Sequence, residues 1–233
     1  MKILSVNISS PKKIKFNGKF LITSIFKQPT NKSLKISKMG LSGDKQADLK
    51  VHGGKHKALY LYSYTHYKFW GNLLGKDFSN DYGLVGENLT IDDLNEKQFF
   101  IGDELKIANV VIKITQPRIP CYKLGIKMNE KNFIEKFIKH GHLGMYAKVI
   151  KIGTVKNGDN LKLIKREKDS MSIYDISRLI FDKNDNIENF SKNLCMHIAA
   201  LKPEAIDENS LEQEIIDKEL NIQKELILSS GKP

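Results

Sequence analysis

The residue best suited to chemistry in this sequence is Cys121, within the proline-framed stretch Gln116–Leu124. Proline fixes φ at about −65° and lacks a backbone N–H. The two prolines of this stretch therefore argue against an ordinary central strand. We therefore expect a rigid loop that presents the Cys121 thiol. Arg118 and Lys123 lie close in sequence and favour the thiolate, which attacks electrophiles and binds soft metals. The alternative is that Cys121 is a small apolar core residue.

A second group of polar residues surrounds the glycine pair Gly53 and Gly54. Glycine adopts backbone conformations closed to other residues and lets a ligand approach the main chain. Three lysines and a histidine in this stretch could bind an anion such as phosphate: Lys50, His52, Lys55 and Lys57. The stretch lacks the Gly-Lys-Ser/Thr ending of a Walker A loop. The glycines between His52 and His56 exclude the helical presentation of a zinc pair. A glycine hairpin with solvated lysines remains the alternative.

A third candidate is the turn Gly83–Thr90, in which Glu87 and Asn88 follow a glycine. A carboxylate and an amide on such a loop would orient a polar ligand or a catalytic lysine. The same residues are also compatible with a tight turn that has only a structural role.

Short strands with turn residues between them dominate the first two thirds of the chain. The predicted strands are Lys2–Val6, Lys19–Phe26, Ala58–Tyr62, Glu104–Ile107, Val110–Ile114, Tyr146–Ile152 and Asn160–Ile164. Apolar residues three and four positions apart predict two helical insertions, Tyr64–Leu74 and Asn129–Lys139. Many short strands and few helices indicate a mainly β, barrel-like domain.

After residue 168, apolar residues recur at the three- and four-residue spacing of a helix. Ser172 is a predicted N-cap for a helix with an apolar stripe, and Ser210 with Gln213 forms a capping-box pattern before a second one. The charge changes at the same place. Residues 1–168 hold 31 basic and 14 acidic residues, a net +17, whereas 169–233 hold 7 and 13, a net −6. We therefore predict a β domain over 1–168 and a small α-helical C-terminal segment.

The overall composition is that of a globular chain: 40% hydrophobic residues, 28% charged residues and a net charge of +11. The charge suggests an anionic ligand, although drift toward lysine-rich composition would also produce it. Two cysteines are too few for a disulfide framework and favour a reducing compartment. The sequence shows no apolar run of signal-peptide or membrane-spanning length. We expect a cytoplasmic protein with no membrane partner.

Taken in order, these pieces resemble the MOSC domain, named for the C-terminal part of molybdenum cofactor sulfurases, and most of all its stand-alone, YiiM-like bacterial type. The resemblance covers about residues 1–166. The matching stretches are Gly40–Asp48, Val51–Gly54, Tyr64–Trp70, Gly86–Leu89, Ile101–Asp103, Gln116–Leu124 and Gly153–Asp159. Residues 169–193 look like the start of the three-helix extension of such proteins.

The resemblance implies that the domain binds the molybdenum cofactor (molybdopterin), with Cys121 as the ligand to molybdenum. It also implies two-electron reduction of N-hydroxylated substrates, such as hydroxylamino bases, to amines in detoxification. We assign cofactor binding to Lys50, Gly53, Gly54, Lys57, Glu87, Asn88, Arg118 and Lys123. His52 would handle the proton that accompanies N–O cleavage. The electron donor would be external, a flavoprotein. We do not expect pyridoxal phosphate.

Residues 194–233 resemble a fragment of elongation factor Ts, and a gene fusion or a joining artefact would account for them. In this segment Cys195 and His197 are expected to pack between helices. Two other functions stay open for the domain itself. In one, Cys121 carries a persulfide and delivers sulfur to a partner. In the other, the basic domain binds nucleic acid, a partner that we do not expect because no recognition motif or stacking array is present.

Overall fold

The structure, a computed structural model, describes residues 1–47, 53–167 and 170–181. Residues 1–177 form one compact unit. Lys50 and His52, the boundary near Lys168 and the predicted helix after Ser210 lie outside the described residues, as does the whole segment resembling elongation factor Ts.

The described residues contain thirteen β-strands and four α-helices. The strands are β1 Ile3–Ile8, β2 Lys12–Phe16, β3 Lys19–Thr23, β4 Gln28–Thr30, β5 Leu34–Ser37, β6 Gly40–Leu41, β7 Leu59–Ser63, β8 Leu89–Ile91, β9 Glu104–Ile107, β10 Val110–Pro117, β11 Met145–Lys151, β12 Gly153–Val155 and β13 Leu161–Lys165. The α-helices are α1 Thr65–Leu74, α2 Tyr122–Met128, α3 Phe133–His140 and α4 Ile173–Phe181, and two 3-10 turns lie at Lys55–Lys57 and Glu96–Gln98.

Eight strands form the main sheet in the order β13-β9-β10-β11-β7-β8-β1-β4, and the other five divide between a β12-β5-β6 sheet and a β2-β3 hairpin. Pairing is antiparallel except between β7 and β8. The expected mainly β architecture is confirmed, but the barrel is wrong, because β13 and β4 are open edges. The edge strand β4 has only three residues and includes Pro29, which donates no backbone hydrogen bond.

All seven predicted strands are present, with ends displaced by no more than three residues. The strands not predicted are two to five residues long, too short for an alternating pattern to stand out. One predicted loop was partly wrong. Gln116 and Pro117 continue β10 and pair with Tyr146 and Met145. A register shift just before them allows proline to occupy the last strand position.

Two helices pack over the sheet through aromatic side chains. Trp70 of α1 is fully buried and donates its indole N–H to Tyr62 Oη at 2.8 Å. Phe133 and Phe137 of α3, predicted as one apolar face, are also fully buried and lie 4.9 and 5.6 Å from the Trp70 ring. The helix predicted from residue 129 begins at Phe133 instead, because Asn132 has a left-handed backbone that a helix cannot contain.

The cap predicted at Ser172 is confirmed. Its Oγ accepts the backbone N–H of Asp175 at 3.0 Å in the first turn of α4. The helix α2 was missed, because its seven residues are too few to show an apolar period.

Gly144 connects the end of α3 to β11 and is the most constrained glycine near the centre of the sheet. Its φ is +74°, and an added Cβ would lie 2.5 Å from Leu61 O and 2.7 Å from the Tyr60 ring. We expect Gly144→Ala to lower the free energy of unfolding by about 3 kcal/mol, from left-handed strain and overpacking together. Urea unfolding followed by circular dichroism measures the change.

Gly18→Ala is the matched control, since Gly18 has φ +76° and nothing within 4 Å of an added Cβ. It carries the backbone strain alone, about 1 kcal/mol. Equal losses in the two variants would contradict the packing argument for Gly144.

Candidate functional site

A cavity opens where the end of β3, β7, β11, the loop at residues 86–88, the loop at residues 118–121 and the start of α2 approach one another. Its polar and charged lining comes from separate parts of the chain. The lining residues are Thr23, Ser24, Ile25, Lys27, Gln46, Ala47, Tyr60, Gly86, Asn88, Arg118, Cys121, Lys123 and Tyr146.

Cys121 lies on the wall of this cavity at the N-cap position of α2. Pro117 ends β10, and the chain then runs through a short loop before α2 begins at Tyr122. The Cys121 carbonyl accepts the Leu124 N–H at 2.9 Å, which fixes the backbone that carries the thiol. The thiol is free of any disulfide and partly exposed. It is therefore accessible to a ligand in the cavity.

Arg118 supplies a buried cation beside Cys121. Its side chain donates from Nη1 to Val85 O, and its guanidinium lies 4.8 Å from the centre of the Tyr60 ring. Its backbone N–H donates to Gly144 O at 3.2 Å. The guanidinium remains charged at any physiological pH. Arg118 is only 6% exposed, so the cation is held rigidly and out of bulk water.

A buried ion pair, Lys27 with Asp44, forms another part of the wall. Lys27 Nζ donates to the two Asp44 carboxylate oxygens at 2.6 and 2.7 Å. Asn88 Nδ2 donates to Asp44 Oδ2 at 2.9 Å, while Asn88 Oδ1 accepts the Tyr60 N–H at 3.1 Å. Burial lowers the pKa of Lys27, although Asp44 opposes the shift. The network ties Lys27 and Tyr60 to one fixed arrangement.

Glu87 is fully buried behind this wall and organises the turn before β8. Its carboxylate accepts from Tyr67 Oη, from Thr90 Oγ1 at 2.8 Å, and from the N–H groups of Gly83 and Val85 at 3.1 and 3.0 Å. The carbonyls of the same turn then receive side-chain cations. Val85 O accepts Arg118, as described above. Glu87 therefore acts on the cavity through the backbone.

Lys127 of α2 donates from Nζ to Gly83 O and to Ile25 O at 3.1 Å. Burial lowers the pKa of Lys127 to about 8, an effect to which Arg118 and Lys27 add and which Glu87 opposes. With Lys27 and Arg118, three cations face two buried carboxylates, Asp44 and Glu87, which leaves an excess of one positive charge. That excess favours an anionic ligand.

The family model for the MOSC domain matches residues 48–162. The uncharacterized protein YflK of Bacillus subtilis is 35% identical over 185 residues, covering 79% of this chain and 83% of that protein. The chain belongs to the MOSC domain family. This confirms the membership expected from the ordered motifs.

Two further relatives extend the comparison. A protein named "Reductase" from Gibberella moniliformis is 29% identical to this MOSC protein over 185 residues, which is 78% of this chain and 32% of that one. The crystal structure of YiiM from Geobacillus stearothermophilus superposes with a TM-score of 0.69 at 26% identity and covers 84% of this chain and 91% of that chain. The open sheet described above is therefore a YiiM-like fold.

The family model for elongation factor Ts matches residues 166–233. It includes residues 194–233, where the resemblance was expected, and also residues 169–193, where the start of a three-helix extension was expected. Elongation factor Ts from Oleidesulfovibrio alaskensis is 41% identical over 51 residues, 26% of that protein. The match spans about a quarter of that relative.

None of the four α-helices in the described ranges is long and apolar enough to cross a bilayer.

The MOSC cavity collects some of the residues predicted from sequence and leaves others outside. Asn88, Arg118, Cys121 and Lys123 line it, and Glu87 lies behind its wall. Gly53, Gly54 and Lys57 belong to the turn before β7 and are not among its lining residues. In that turn Gly54 has φ +97° and its carbonyl accepts the Lys57 N–H at 3.0 Å. Lys50 and His52 fall outside the described residues.

Several lining residues were missed by sequence reasoning, chief among them Lys27, Tyr60 and Tyr146. No local sequence pattern identifies Lys27 as a site residue, because its ion-pair partner Asp44 is seventeen residues away. Asp44 itself lies in the Gly40–Asp48 stretch that carries the family resemblance. Tyr60 and Tyr146 lie in correctly predicted strands, but their pairing opposite one another required the sheet order.

The described part of the cavity fits the molybdenum cofactor chemically. Two buried polar atoms of its lining, Ser24 Oγ and Arg118 Nε, have no hydrogen-bond partner among the described residues. Unpaired buried donors are costly and indicate a ligand that bears acceptors. The pterin phosphate offers such acceptors, and a cysteine thiolate is a suitable soft ligand for the metal.

Proposed function

We propose that this MOSC-domain protein binds the molybdenum cofactor in the cavity around Cys121 and reduces N-hydroxylated substrates to amines. The observation that carries the proposal is the accessible Cys121 thiol beside buried Arg118, whose Nε lacks a partner among the described residues. The relative named as a reductase supports the reaction class. The balanced reaction is R–NHOH + 2 e⁻ + 2 H⁺ → R–NH₂ + H₂O.

Cofactor binding is the first task of this chain's residues. The Cys121 thiolate would be the protein ligand to molybdenum, and Arg118 with Lys123 would hold the phosphate of the pterin. Lys50, Lys57 and the Gly53–Gly54 backbone are proposed to complete the anion site. Bound there, the cofactor supplies the two-electron redox chemistry that N–O cleavage requires.

Proton supply is the second task. We assign the proton that accompanies N–O cleavage to His52, whose ordinary pKa range suits transfer near neutral pH. Tyr146 also lies on the cavity wall. Burial raises the pKa of Tyr146, so its phenol keeps its proton and would orient substrate through a hydrogen bond rather than supply the proton. The electrons are proposed to come from an external flavoprotein.

The test combines content and turnover measured on one preparation. Full-length protein from a molybdate-replete host is analysed for molybdenum by mass spectrometry and for pterin by fluorescence after oxidation. The same protein is assayed for reduction of 6-hydroxylaminopurine with a chemical electron donor. We expect about one molybdenum and one pterin per chain, with stoichiometric formation of adenine.

Three results would overturn the proposal. Protein without molybdenum but with a persulfide on Cys121 would indicate sulfur transfer. Salt-sensitive duplex binding that ignores Cys121 substitution, in protein without pterin, would indicate a nucleic-acid module. A molybdenum-loaded protein that reduces no N-hydroxylated compound would refute the reaction while leaving cofactor binding in place.

A further inference from the structure

A second cluster of chemically active side chains lies apart from the cavity lining and is formed by His66, Glu96 and His142. Glu96 Oε2 lies 2.6 Å from His142 Nδ1 and 3.5 Å from His66 Nε2. One potential ligand atom from each residue falls within 4.8 Å of the other two. Two imidazoles and a carboxylate form a common ligand set for zinc and related divalent metals.

Three separate segments bring these residues together. His66 is in the first turn of α1, Glu96 begins the 3-10 turn Glu96–Gln98, and His142 follows α3. The side chain of Glu96 is fully buried, while those of His66 and His142 are 12% and 21% exposed. A metal ion would therefore reach the cluster from its histidine side.

The unsatisfied polar group of the cluster is on His66. His66 Nε2 makes no hydrogen bond within the described residues, although it is buried. A buried ring nitrogen without a partner beside a buried anion is the arrangement that a cation completes.

We propose that His66 Nε2, Glu96 Oε2 and His142 Nδ1 bind a divalent transition metal ion, with Zn²⁺ as the representative ion. Three protein ligands leave a fourth tetrahedral position for water. In a tetrahedral site with metal–ligand distances of about 2.0 Å, neighbouring ligand atoms lie roughly 3.3 Å apart. The 3.5 Å separation of Glu96 from His66 already meets that value. The 2.6 Å hydrogen bond of His142 must lengthen as the metal displaces its proton.

Neighbouring groups already hold two of the ligands in place. Glu96 Oε1, the oxygen not assigned to the metal, accepts the Gly144 N–H at 3.1 Å. His66 Nδ1 is 3.2 Å from His140 Nε2, which leaves Nε2 for the metal. His140 is in turn stacked on Phe69, with ring centres 4.0 Å apart. Such outer contacts orient the ligands of protein metal sites.

The same segment reaches the cavity on its other side. Gly144 O accepts the Arg118 N–H at 3.2 Å, and Leu143 O accepts Tyr60 Oη at 2.8 Å. A metal that fixes His142 would therefore also fix the backbone that carries two contacts to cavity residues. The inference stands on its own observations and does not depend on the proposed reductase function.

Zn²⁺ binding to metal-free full-length protein, measured by competition with a chromophoric chelator, is the direct test. We expect one tight site, weakened more than about 100-fold in His142→Gln and in His66→Gln, since even outer partners contribute 10- to 100-fold. His142 is the first choice because, within the described residues, its ring is hydrogen-bonded to Glu96 and not to the backbone. His56→Gln is the matched control, a histidine outside the cluster, and should bind Zn²⁺ as the unaltered protein does.

Co²⁺ substitution separates this site from the cysteine. With only nitrogen and oxygen ligands, the cobalt complex should show visible d–d bands without a thiolate-to-metal charge-transfer band, and it should persist in the double variant Cys121→Ser, Cys195→Ser. Unchanged Zn²⁺ affinity in folded His142→Gln and His66→Gln would overturn the proposal. A charge-transfer band abolished by Cys121→Ser would do so as well, by placing the metal on the thiol.

Discussion

Cys121→Ser is expected to reduce the molybdenum content of the purified protein to background and turnover by more than about 100-fold. A serine hydroxyl stays protonated at neutral pH and is a poor ligand for a soft metal centre, whereas the thiolate is a good one. Because the two side chains have nearly the same size and Cys121 is partly exposed, the fold should tolerate the change to within about 1 kcal/mol. Elemental analysis and the hydroxylaminopurine assay measure the two losses.

Cys195→Ser is the control for this experiment, since it removes the second of the two cysteines in the chain. It should leave molybdenum content and turnover unchanged. Retention of full metal and activity in Cys121→Ser would refute the assignment of Cys121 as the ligand. Equal losses in both variants would instead point to a general effect on thiol oxidation or folding.

Arg118→Met is expected to weaken cofactor retention about 10- to 100-fold, the worth of one charge-assisted hydrogen bond in a buried site. The variant removes the cation that faces the cavity and its Nε, which has no hydrogen-bond partner in the described part of the chain. It also leaves Val85 O without its donor, which should lower the free energy of unfolding by about 1–3 kcal/mol. Pterin content after gel filtration, together with thermal unfolding, reports both effects.

Arg118→Lys keeps the charge but not the planar set of donors, and an intermediate loss is expected. Lys162→Met is the matched charge control, because it also removes one cation but from an exposed position on β13. Cofactor retention should be unchanged there. If Lys162→Met and Arg118→Met were equally defective, the net positive charge rather than the cavity would govern binding.

The structure shows which of the basic residues of the β domain are near the cavity and which are not. Most of the lysines that produce the +17 of residues 1–168 are exposed, whereas Lys27 and Arg118 are buried at the cavity. Long-range attraction needs only the total charge, but a bound anion needs cations fixed within hydrogen-bond distance. The prediction for Arg118 tests the second contribution separately from the first.

Local patterns in the sequence were enough to predict the seven strands, the apolar faces of two helices and the Ser172 cap. Each depends on residues only a few positions apart, such as the four-residue spacing of Phe133 and Phe137. The importance of Cys121 was also a local inference, from two prolines and two cations within nine residues.

The tertiary structure alone decided which distant residues meet. The alternation of polar and apolar residues shows which face of a strand is buried but not which strand lies beside it. An open sheet with β4 and β13 at its edges therefore could not be distinguished from a closed barrel by sequence. Lys27 meets Asp44, and Tyr60 meets Tyr146, through loop closure and sheet order. His66, Glu96 and His142 carry no signal in sequence, because segments up to 76 residues apart form that cluster only once α1 and α3 have packed on the sheet.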